Sequence, residues 1–286
     1  MLFSDFMSLL KPRILVMQFV SFSLGYGMAL PFSQLAWGPF LWGLCGVACL
    51  SGGSAALNHS LEWPWDAKMV RTHHRPVPTK RVLPIFATFF GFLGVVLGIL
   101  VLMICVNGLV ALLGALTAWL YVAVYTPSKR WHWINTYIGT VPGAMLPLAG
   151  WAAAAGHLGA GAFWMALVLL VWQLPHFFAI AWMYKDEYQG AGFKMVSEQD
   201  VTGAFTVAHM MYTTYALVVV AMIPYIVGLC GIGFFCASIG LGVWLLRDVY
   251  AFAHDRTYIR AKTVLKTSVY YLPIFLLAIV VDRWFG

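Results

Sequence analysis

Nine apolar stretches, each close to the length of a bilayer-crossing helix, follow one another along the 286-residue chain. A transmembrane helix needs about 20 mostly apolar residues. The stretches lie near residues 14–33, 36–57, 82–106, 108–126, 134–155, 161–183, 204–227, 229–246 and 267–283. Charged residues make up only 9% of the chain, whereas ordinary soluble domains carry about 25%. Such a chain cannot present a surface compatible with water, so the sequence predicts an all-α polytopic membrane protein with nine transmembrane helices.

The basic residues lie almost entirely on one side of the predicted bundle. Of the 17 Lys and Arg residues, all but Arg283 precede the first stretch or follow an even-numbered one. Because positively charged loops stay in the cytoplasm, we expect a cytoplasmic N-terminus and a periplasmic C-terminus. The first stretch is long enough to span, so we expect it to remain as a helix. Without an Arg- and Ser-rich leader, the expected location is a bacterial plasma (inner) membrane.

The acidic residues gather on the same side as the basic ones. All but Asp282 of the ten Asp and Glu residues lie there, although the positive-inside rule makes no such demand on acids. The grouping indicates either a binding site or a set of solvated loops. The net charge of +7 does not indicate a nucleic-acid partner, because that function needs a basic face on a soluble module.

The connection after the second stretch contains a regularly spaced set of oxygen ligands. Asn58, Glu62 and Asp66 are four residues apart, so on a helix their side chains share one stripe. Pro64 interrupts the pattern and predicts a distorted or unwound last turn. One amide and two carboxylates suit Mg²⁺, which binds one or two carboxylates and completes its octahedron with water and substrate phosphates.

Cations follow this stripe directly. Lys68, Arg71 and Arg75 are expected to neutralise a phosphate bridged to the metal, and Arg is the better phosphate ligand because of its forked guanidinium. Lys80 and Arg81 are interpreted as membrane anchors instead. His73 and His74 lie between the two arginines, where they could contact a diphosphate, a carboxylate of the acceptor or water.

The connection after the sixth stretch repeats the theme. Asp186 and Glu187 are adjacent, with Lys185 beside them, and adjacent residues do not share a helix face. We therefore expect Asp186 to ligate the metal, and Glu187 to point away or to hold a second ion. Two acidic connections on one membrane face predict a single domain, 1–286, built from two related halves of about 1–155 and 156–286.

Two acidic clusters, Mg²⁺, cations and an apolar interior fit one chemical task, the binding of a diphosphate whose long apolar tail lies between helices. Ionisation of an allylic diphosphate requires neutralisation of the leaving group, which metal ions and Arg or Lys side chains provide. The carbocation must then be kept from bulk water, and aromatic faces can stabilise it. The predicted reaction class is prenyl transfer.

Several motifs resemble those of one known family. The stretch N-x-x-x-E-x-x-x-D-A-x-M-x-R-T-x-x-R-P, from Asn58 to Pro76, resembles the first aspartate-rich motif of the UbiA superfamily of intramembrane prenyltransferases. Its R-T-x-x-R-P end resembles the haem O synthase (protohaem IX farnesyltransferase) branch. Further similarity lies in LLKPRI near the N-terminus, N-x-x-x-G-x-x-x-G-A-x-x-P-x-x-G-W from Asn135 to Trp151, and WQLPHFF with YKDEYQGAG between Trp172 and Gly192.

This resemblance implies a nine-helix bundle around a central cavity that opens to the cytoplasmic side. It also implies Mg²⁺-dependent transfer of farnesyl from farnesyl diphosphate to a vinyl group of haem B, with hydration, to make haem O. Haem B would then be a substrate, and a haem A synthase or a terminal oxidase assembly would be a further partner besides the lipid bilayer. Trp63, Pro64 and Trp65 depart from the family pattern, in which a charged pair is usual, and this leaves open the number of metal ions.

A haem acceptor also needs a site for its iron, which proteins commonly hold with histidine. Among eight histidines, His176 in LPHFF is favoured, with His73 and His74 as alternative haem contacts. His59 and His209 are weaker candidates. A lone histidine on an apolar helix is equally consistent with a packing role.

Two other functions remain open. A UbiA-type prenyltransferase of an aromatic quinone precursor would share the diphosphate site and differ in its acceptor. A transporter or channel is disfavoured because such proteins place ionisable groups near the membrane midplane, and the centres of the nine stretches are nearly free of charge.

Overall fold

The computed structural model describes residues 3–285, and every regular element in that range is helical. The helices are α1 (Phe3–Leu10), α2 (Pro12–Ala29), α3 (Trp37–Asp66), α4 (Pro84–Cys105), α5 (Gly108–Trp119), α6 (Thr126–Ser128), α7 (Asn135–Ala155), α8 (Ala160–Met183), α9 (Lys185–Ala191), α10 (Val196–Gln199), α11 (Ala204–Ile226), α12 (Ile232–His254) and α13 (Tyr258–Phe285). A short 3₁₀ turn, Phe32–Gln34, precedes α3, and a π-helical turn, Leu120–Tyr125, joins α5 to α6.

The predicted all-α membrane fold is confirmed. Within the described residues, eight helices are long and apolar enough to cross a membrane, and a ninth span is counted if α1 and α2, bent by 43° at Lys11, are taken together. All nine predicted stretches correspond to one of these spans. Three helices extend well beyond the predicted stretches: α3 continues to Asp66 instead of residue 57, α12 continues to His254 instead of residue 246, and α13 begins at Tyr258 instead of residue 267.

The expected unwinding at Pro64 is wrong. The helix α3 continues through Pro64 and ends two residues later, where the backbone amides of Ala67 and Lys68 donate to the carbonyl groups of Trp63 and Trp65, each at 3.0 Å. Proline removes a single amide donor from the helix, and here it does so in the last turn, where few bonds remain to be lost. The chain then runs through successive turns from Ala67 to Val82.

The chain divides into two compact units. The first comprises Met1–Ala166 and Glu187–Lys194, and the second comprises Leu167–Asp186 and Met195–Gly286. In the first unit, α3 packs along α4, and α2 packs along α7. A methyl group on Gly53 of α3 would lie 2.6 Å from the carbonyl oxygen of Gly91 on α4. Only glycine allows the two backbones to approach this closely, as is common between transmembrane helices.

The second unit is built on α11, α12 and α13, which pack in chain order. Large side chains fill its interior, including Phe234 and Phe252 of α12 and Tyr271 and Phe275 of α13, each of them fully buried. The rings of Phe234 and Phe275 meet at 5.5 Å between centroids. This packing fixes the position of α13 against α12 and therefore the positions of the polar residues that α13 carries.

Candidate active site

Three polar side chains line one face at the end of α3. Asn58, Glu62 and Asp66 are only 1%, 6% and 1% exposed, and their spacing of four residues places them one above the other. The stripe that the sequence predicts is therefore present on a continuous helix. Carboxylates this deeply buried need a positive partner, because an unpaired buried charge is strongly unfavourable.

Each residue of this stripe has its own cation. The Nζ atom of Lys11 donates to Oδ1 of Asn58 at 2.8 Å. Lys129 Nζ lies 2.8 Å from Oε1 of Glu62. The NH1 atom of Arg75 donates to Oδ2 of Asp66 at 2.7 Å. The arrangement is a ladder of three oxygen acceptors and three cations, which we call the acid–cation ladder.

The helices deliver these cations from separate parts of the chain. Lys11 lies at the break between α1 and α2 in a left-handed backbone conformation, with φ of 51°. Lys129 follows α6 directly. Burial alone opposes the charge on Lys129, but Glu62 and two nearby tyrosines outweigh it and raise the pKa of this ammonium group above its ordinary value. Lys129 is therefore charged.

Sequence reasoning missed Lys11 and Lys129 as members of the site and counted both only among the basic residues that predict the membrane orientation. The π-helical turn and the first residue of α6 add Tyr121 and Thr126 to the site. The amide of Asn58 donates to Oγ1 of Thr126 at 3.1 Å, and that hydroxyl donates to the carbonyl of Tyr121 at 2.9 Å. The LLKPRI motif was a signal for Lys11, but no local spacing indicated Lys129 or Thr126. Helical π turns often occur at functional sites.

The second acidic connection meets the first through Arg71. The backbone amide of Arg71 donates to Oε2 of Glu187 at 3.0 Å, and its NH2 atom donates to the hydroxyl of Tyr188 at 3.1 Å. Burial raises the pKa of Tyr188, so the phenol stays protonated and neutral. Glu187 therefore has a structural partner in the first connection.

Backbone contacts hold the rest of this segment. The amide of Lys194 donates to the carbonyl of Lys129 at 2.7 Å. The side chain of Asn135, which is fully buried at the start of α7, donates to the carbonyl of Lys194 at 2.8 Å. Residues 187–194 are thus docked at both ends onto the part of the first unit that carries the acid–cation ladder.

The other predicted residues of the first connection are more exposed. Lys68 is exposed and forms no ion pair within residues 3–285. His73 and His74 are also exposed, and Nδ1 of His73 lies 2.8 Å from the carbonyl of Val70 in its own turn. Arg81 donates through Nε to Oδ1 of Asp5 at 2.8 Å, which ties this connection to α1.

The remaining predicted residues belong to the second unit. The Nζ atom of Lys185 lies 4.5 Å above the ring of Trp182. Asp186 is exposed, and it has no hydrogen bond or ion pair among the described residues. His176 on α8 is half-buried, and its Nδ1 atom lies 2.9 Å from Oγ of Ser268 on α13.

Comparison with known proteins places this geometry in a family. Residues 19–271 match the UbiA prenyltransferase family. The chain belongs to this family. A relative from Solibacter usitatus named protoheme IX farnesyltransferase is 37% identical over 288 residues, with 98% of both chains covered. A relative of the same name from Salinibacter ruber is 40% identical over 281 residues, covering 98% of this chain and 99% of that one. The expected family and enzyme class, a prenyltransferase, are confirmed.

Solved structures share the family fold at low sequence identity. A structure described as digeranylgeranylglyceryl phosphate synthase has a TM-score of 0.81 at 15% identity and covers 98% of both chains. A UbiA homolog from Archaeoglobus fulgidus bound to GPP and Mg²⁺ has a TM-score of 0.72 at 12% identity, covering 96% of this chain and 99% of that one. These similarities establish the fold of the family, which the predicted helical bundle matches.

The donor set of α3 fits a magnesium ion that is shared with a substrate. Within residues 3–285, no three His, Cys, Asp or Glu side chains come together as a protein-only metal site. Mg²⁺ does not need such a cage when substrate phosphates complete its coordination, because one or two carboxylates then suffice. Glu62 and Asp66 each have a second carboxylate oxygen besides the one that binds Lys129 or Arg75. These two carboxylates would hold the ion.

Proposed function

We propose that this chain transfers the farnesyl group of farnesyl diphosphate to a vinyl group of haem B, with hydration, and so makes haem O in a Mg²⁺-dependent reaction. The acceptor is inferred from relatives that are 32–40% identical over nearly the whole chain and are named for farnesyl transfer to protohaem IX. The observation that carries the proposal is the acid–cation ladder of α3. It brings carboxylates that can bind a metal ion next to cations that can bind a diphosphate.

The chemistry follows from the residues of the ladder. Bound Mg²⁺ would neutralise negative charge on the diphosphate and favour its departure. Arg75 and Lys129 are already adjacent to Asp66 and Glu62, so both are placed to contact diphosphate oxygens once the carboxylates bind the ion. Arg71 and the exposed Lys68 supply further positive charge along the same connection. Each contact is worth most in a site from which water is excluded.

The proposed reaction breaks one bond of farnesyl diphosphate and forms two bonds at the vinyl group of haem B. The allylic C–O bond of farnesyl diphosphate breaks, and the bonding electrons leave with the diphosphate. The terminal vinyl carbon of haem B then bonds to the farnesyl carbon, which leaves positive charge on the vinyl carbon next to the porphyrin. Water adds to that carbon and releases one proton, giving the hydroxylated farnesyl side chain.

The test uses purified enzyme with farnesyl diphosphate, haem B and Mg²⁺, and measures haem O by chromatography and mass spectrometry. We expect Asp66→Asn to lower kcat on the order of 100-fold and to raise the Mg²⁺ concentration needed for half-maximal rate. The control is Asp255→Asn, which changes a carboxylate whose side chain is 57% exposed between α12 and α13. Undiminished haem O formation by Asp66→Asn would remove the α3 stripe from the mechanism.

The expected roles of Asp186 as a Mg²⁺ ligand and of Lys185 as a neutralising cation remain predictions. Asp186→Asn changes an exposed side chain, so loss of activity in a variant with unchanged thermal unfolding would support direct participation of Asp186 in the reaction.

The acceptor is tested with the same purified protein. Prenylation of a hydroxybenzoate without any haem O would favour the aromatic quinone precursor as acceptor.

The chain is a multi-pass membrane protein by its helices and family. Its proposed place is the bacterial plasma membrane, with the N-terminus in the cytoplasm. A haem A synthase or a terminal oxidase assembly, which would receive haem O, is the proposed downstream partner. Mass spectrometry of haems from cells with and without this chain tests the product in the membrane itself.

A further inference from the structure

One histidine of the second unit is oriented from two sides. Trp172 and His176 lie one turn apart on α8, and their rings stack at 5.4 Å between centroids with planes 28° apart. Both side chains also reach Ser268 on α13. The indole Nε1 of Trp172 donates to the backbone carbonyl of Ser268 at 2.8 Å, and Nδ1 of His176 lies 2.9 Å from its hydroxyl oxygen.

The hydrogen bonds of Ser268 determine which ring nitrogen of His176 carries the proton. The hydroxyl of Ser268 donates to the carbonyl of Leu265 at 2.7 Å. A serine hydroxyl has one hydrogen to donate, so towards His176 the oxygen of Ser268 acts as an acceptor. The Nδ1 atom of His176 must therefore carry the hydrogen, and the lone pair of the neutral ring is on Nε2.

This Nε2 atom has no hydrogen-bond partner in the part of the chain that the structure describes. Ser268 is fully buried, whereas His176 is only half-buried. A neutral imidazole with one nitrogen bonded to the protein and the other free is the arrangement that metal-binding histidines adopt.

We propose that Ser268 is a positioning residue, which holds His176 in the Nδ1-protonated tautomer so that Nε2 ligates the iron of the haem B acceptor. The identity of the acceptor rests on the proposed function. Ligation donates the lone pair of Nε2 to iron and changes no oxidation state. It anchors the porphyrin at one point, and Trp172 packs against the imidazole ring.

The test is titration of the purified protein with haem B, monitored by the Soret band and by electron paramagnetic resonance of the ferric form. We expect His176→Ala to lose the signature of an imidazole ligand, and added imidazole to restore it. Ser268→Ala should weaken haem binding on the order of tenfold, as is typical when the partner of a ligating histidine is removed. Ser268→Cys replaces the hydroxyl with a larger thiol that is only a weak acceptor, so it should also weaken haem binding.

Two controls separate ligation from packing. Ser238→Ala removes a serine on α12 that is 1% exposed and whose hydroxyl has no hydrogen-bond partner among the described residues, so haem binding should be unchanged. Metal-free protoporphyrin IX should bind equally to wild type and to Ser268→Ala, because it offers no iron. If Ser268→Ala weakens both porphyrins equally, Ser268 shapes the pocket and the proposal is wrong.

The test of haem ligation by His176 can fail or succeed independently of the proposed reaction. If wild type makes haem O and His176→Ala binds haem B with an unchanged spectrum, the reaction stands and the ligation proposal is overturned. If wild type binds haem B through His176 but makes no haem O, the ligation proposal stands and the proposed reaction fails.

Discussion

Among single residues, the Glu62–Lys129 pair shows how the site holds charge inside a largely apolar protein. The two side chains are only 8% and 16% exposed and lie 2.8 Å apart. The pair does not by itself imply high stability, because desolvation of both charges offsets most of their attraction. Loss of one partner is different, since the other charge then stays buried without compensation. Lys129 therefore serves as the opposite charge that a carboxylate needs when it is as deeply buried as Glu62.

This argument predicts an asymmetry between single and double variants. Lys129→Met should reduce the free energy of unfolding by about 3 kcal/mol, because it leaves the carboxylate of Glu62 buried and unpaired. The double variant Glu62→Gln, Lys129→Met should recover most of that loss, since neither charge remains. The measurement is thermal unfolding in detergent for the wild type, both single variants and the double variant. Additive losses in the double variant would mean that the two residues do not act as a pair.

The sequence predicted the acceptors of this site but only part of its cations. Asn58, Glu62 and Asp66 are recognisable because their spacing matches the helical period, which is a local property. Arg75 is close enough in sequence to be associated with Asp66. Lys11 is separated from Asn58 by 47 residues, and its role depends on the packing of separate helices, which no periodicity encodes. Its basic charge was instead explained by membrane orientation alone.

At the scale of secondary-structure elements, the lengths of the apolar stretches predicted the positions of the helices well. Helix ends that carry polar residues were harder to predict. The end of α3 carries buried polar residues on three successive turns, so a hydrophobicity criterion ends the helix at residue 57 although the backbone continues to Asp66. These turns are stabilised by cations that come from elsewhere in the chain. Polar residues at the end of an apolar helix are therefore a useful indication of a site instead of a loop.

The docked segment 187–194 provides a prediction at this scale. Glu187 accepts from the backbone amide of Arg71 at 3.0 Å, whereas its neighbour Asp186 has no partner among the described residues. Glu187→Ala should release the start of the segment and increase amide hydrogen exchange in residues 187–194, because local opening becomes less costly. Asp186→Ala should leave exchange unchanged. The measurement is hydrogen–deuterium exchange by mass spectrometry on the protein without substrate.

The two variants form a matched pair, since each removes one carboxylate from neighbouring positions of α9. Equal exchange in both variants would show that the contact with Arg71 does not hold the segment. Faster exchange in Asp186→Ala alone would reverse the structural assignment of the two acids. Neither result depends on catalytic activity, so this test of the segment does not rely on the proposed metal site.

For the whole molecule, contacts within the first unit bear on membrane orientation. The end of the second span and the connection after it meet the connections after the fourth and sixth spans, through Glu62 with Lys129 and through Arg71 with Glu187. At the opposite end of α7, the amide of Asn107 in the connection after the third span donates to the carbonyl of Ala152 at 2.9 Å. In this unit, the connection after the third span thus lies at the opposite end of the helices from these even-numbered connections.

The positive-inside rule adds the direction, because the basic residues belong to the even-numbered connections. Alkaline phosphatase is active only when it is exported, so a fusion after His157, in the connection after the fifth span, and a fusion after Gly286 should both be active in a bacterial host. A fusion after Arg130, beside Lys129, should be inactive, and a fluorescent protein at that position should be bright. The ratio of the two reporters at each position is the measurement. A bright reporter at Gly286 together with active phosphatase at Arg130 would invert the orientation and would place the acid–cation ladder on the periplasmic side, away from cytoplasmic farnesyl diphosphate.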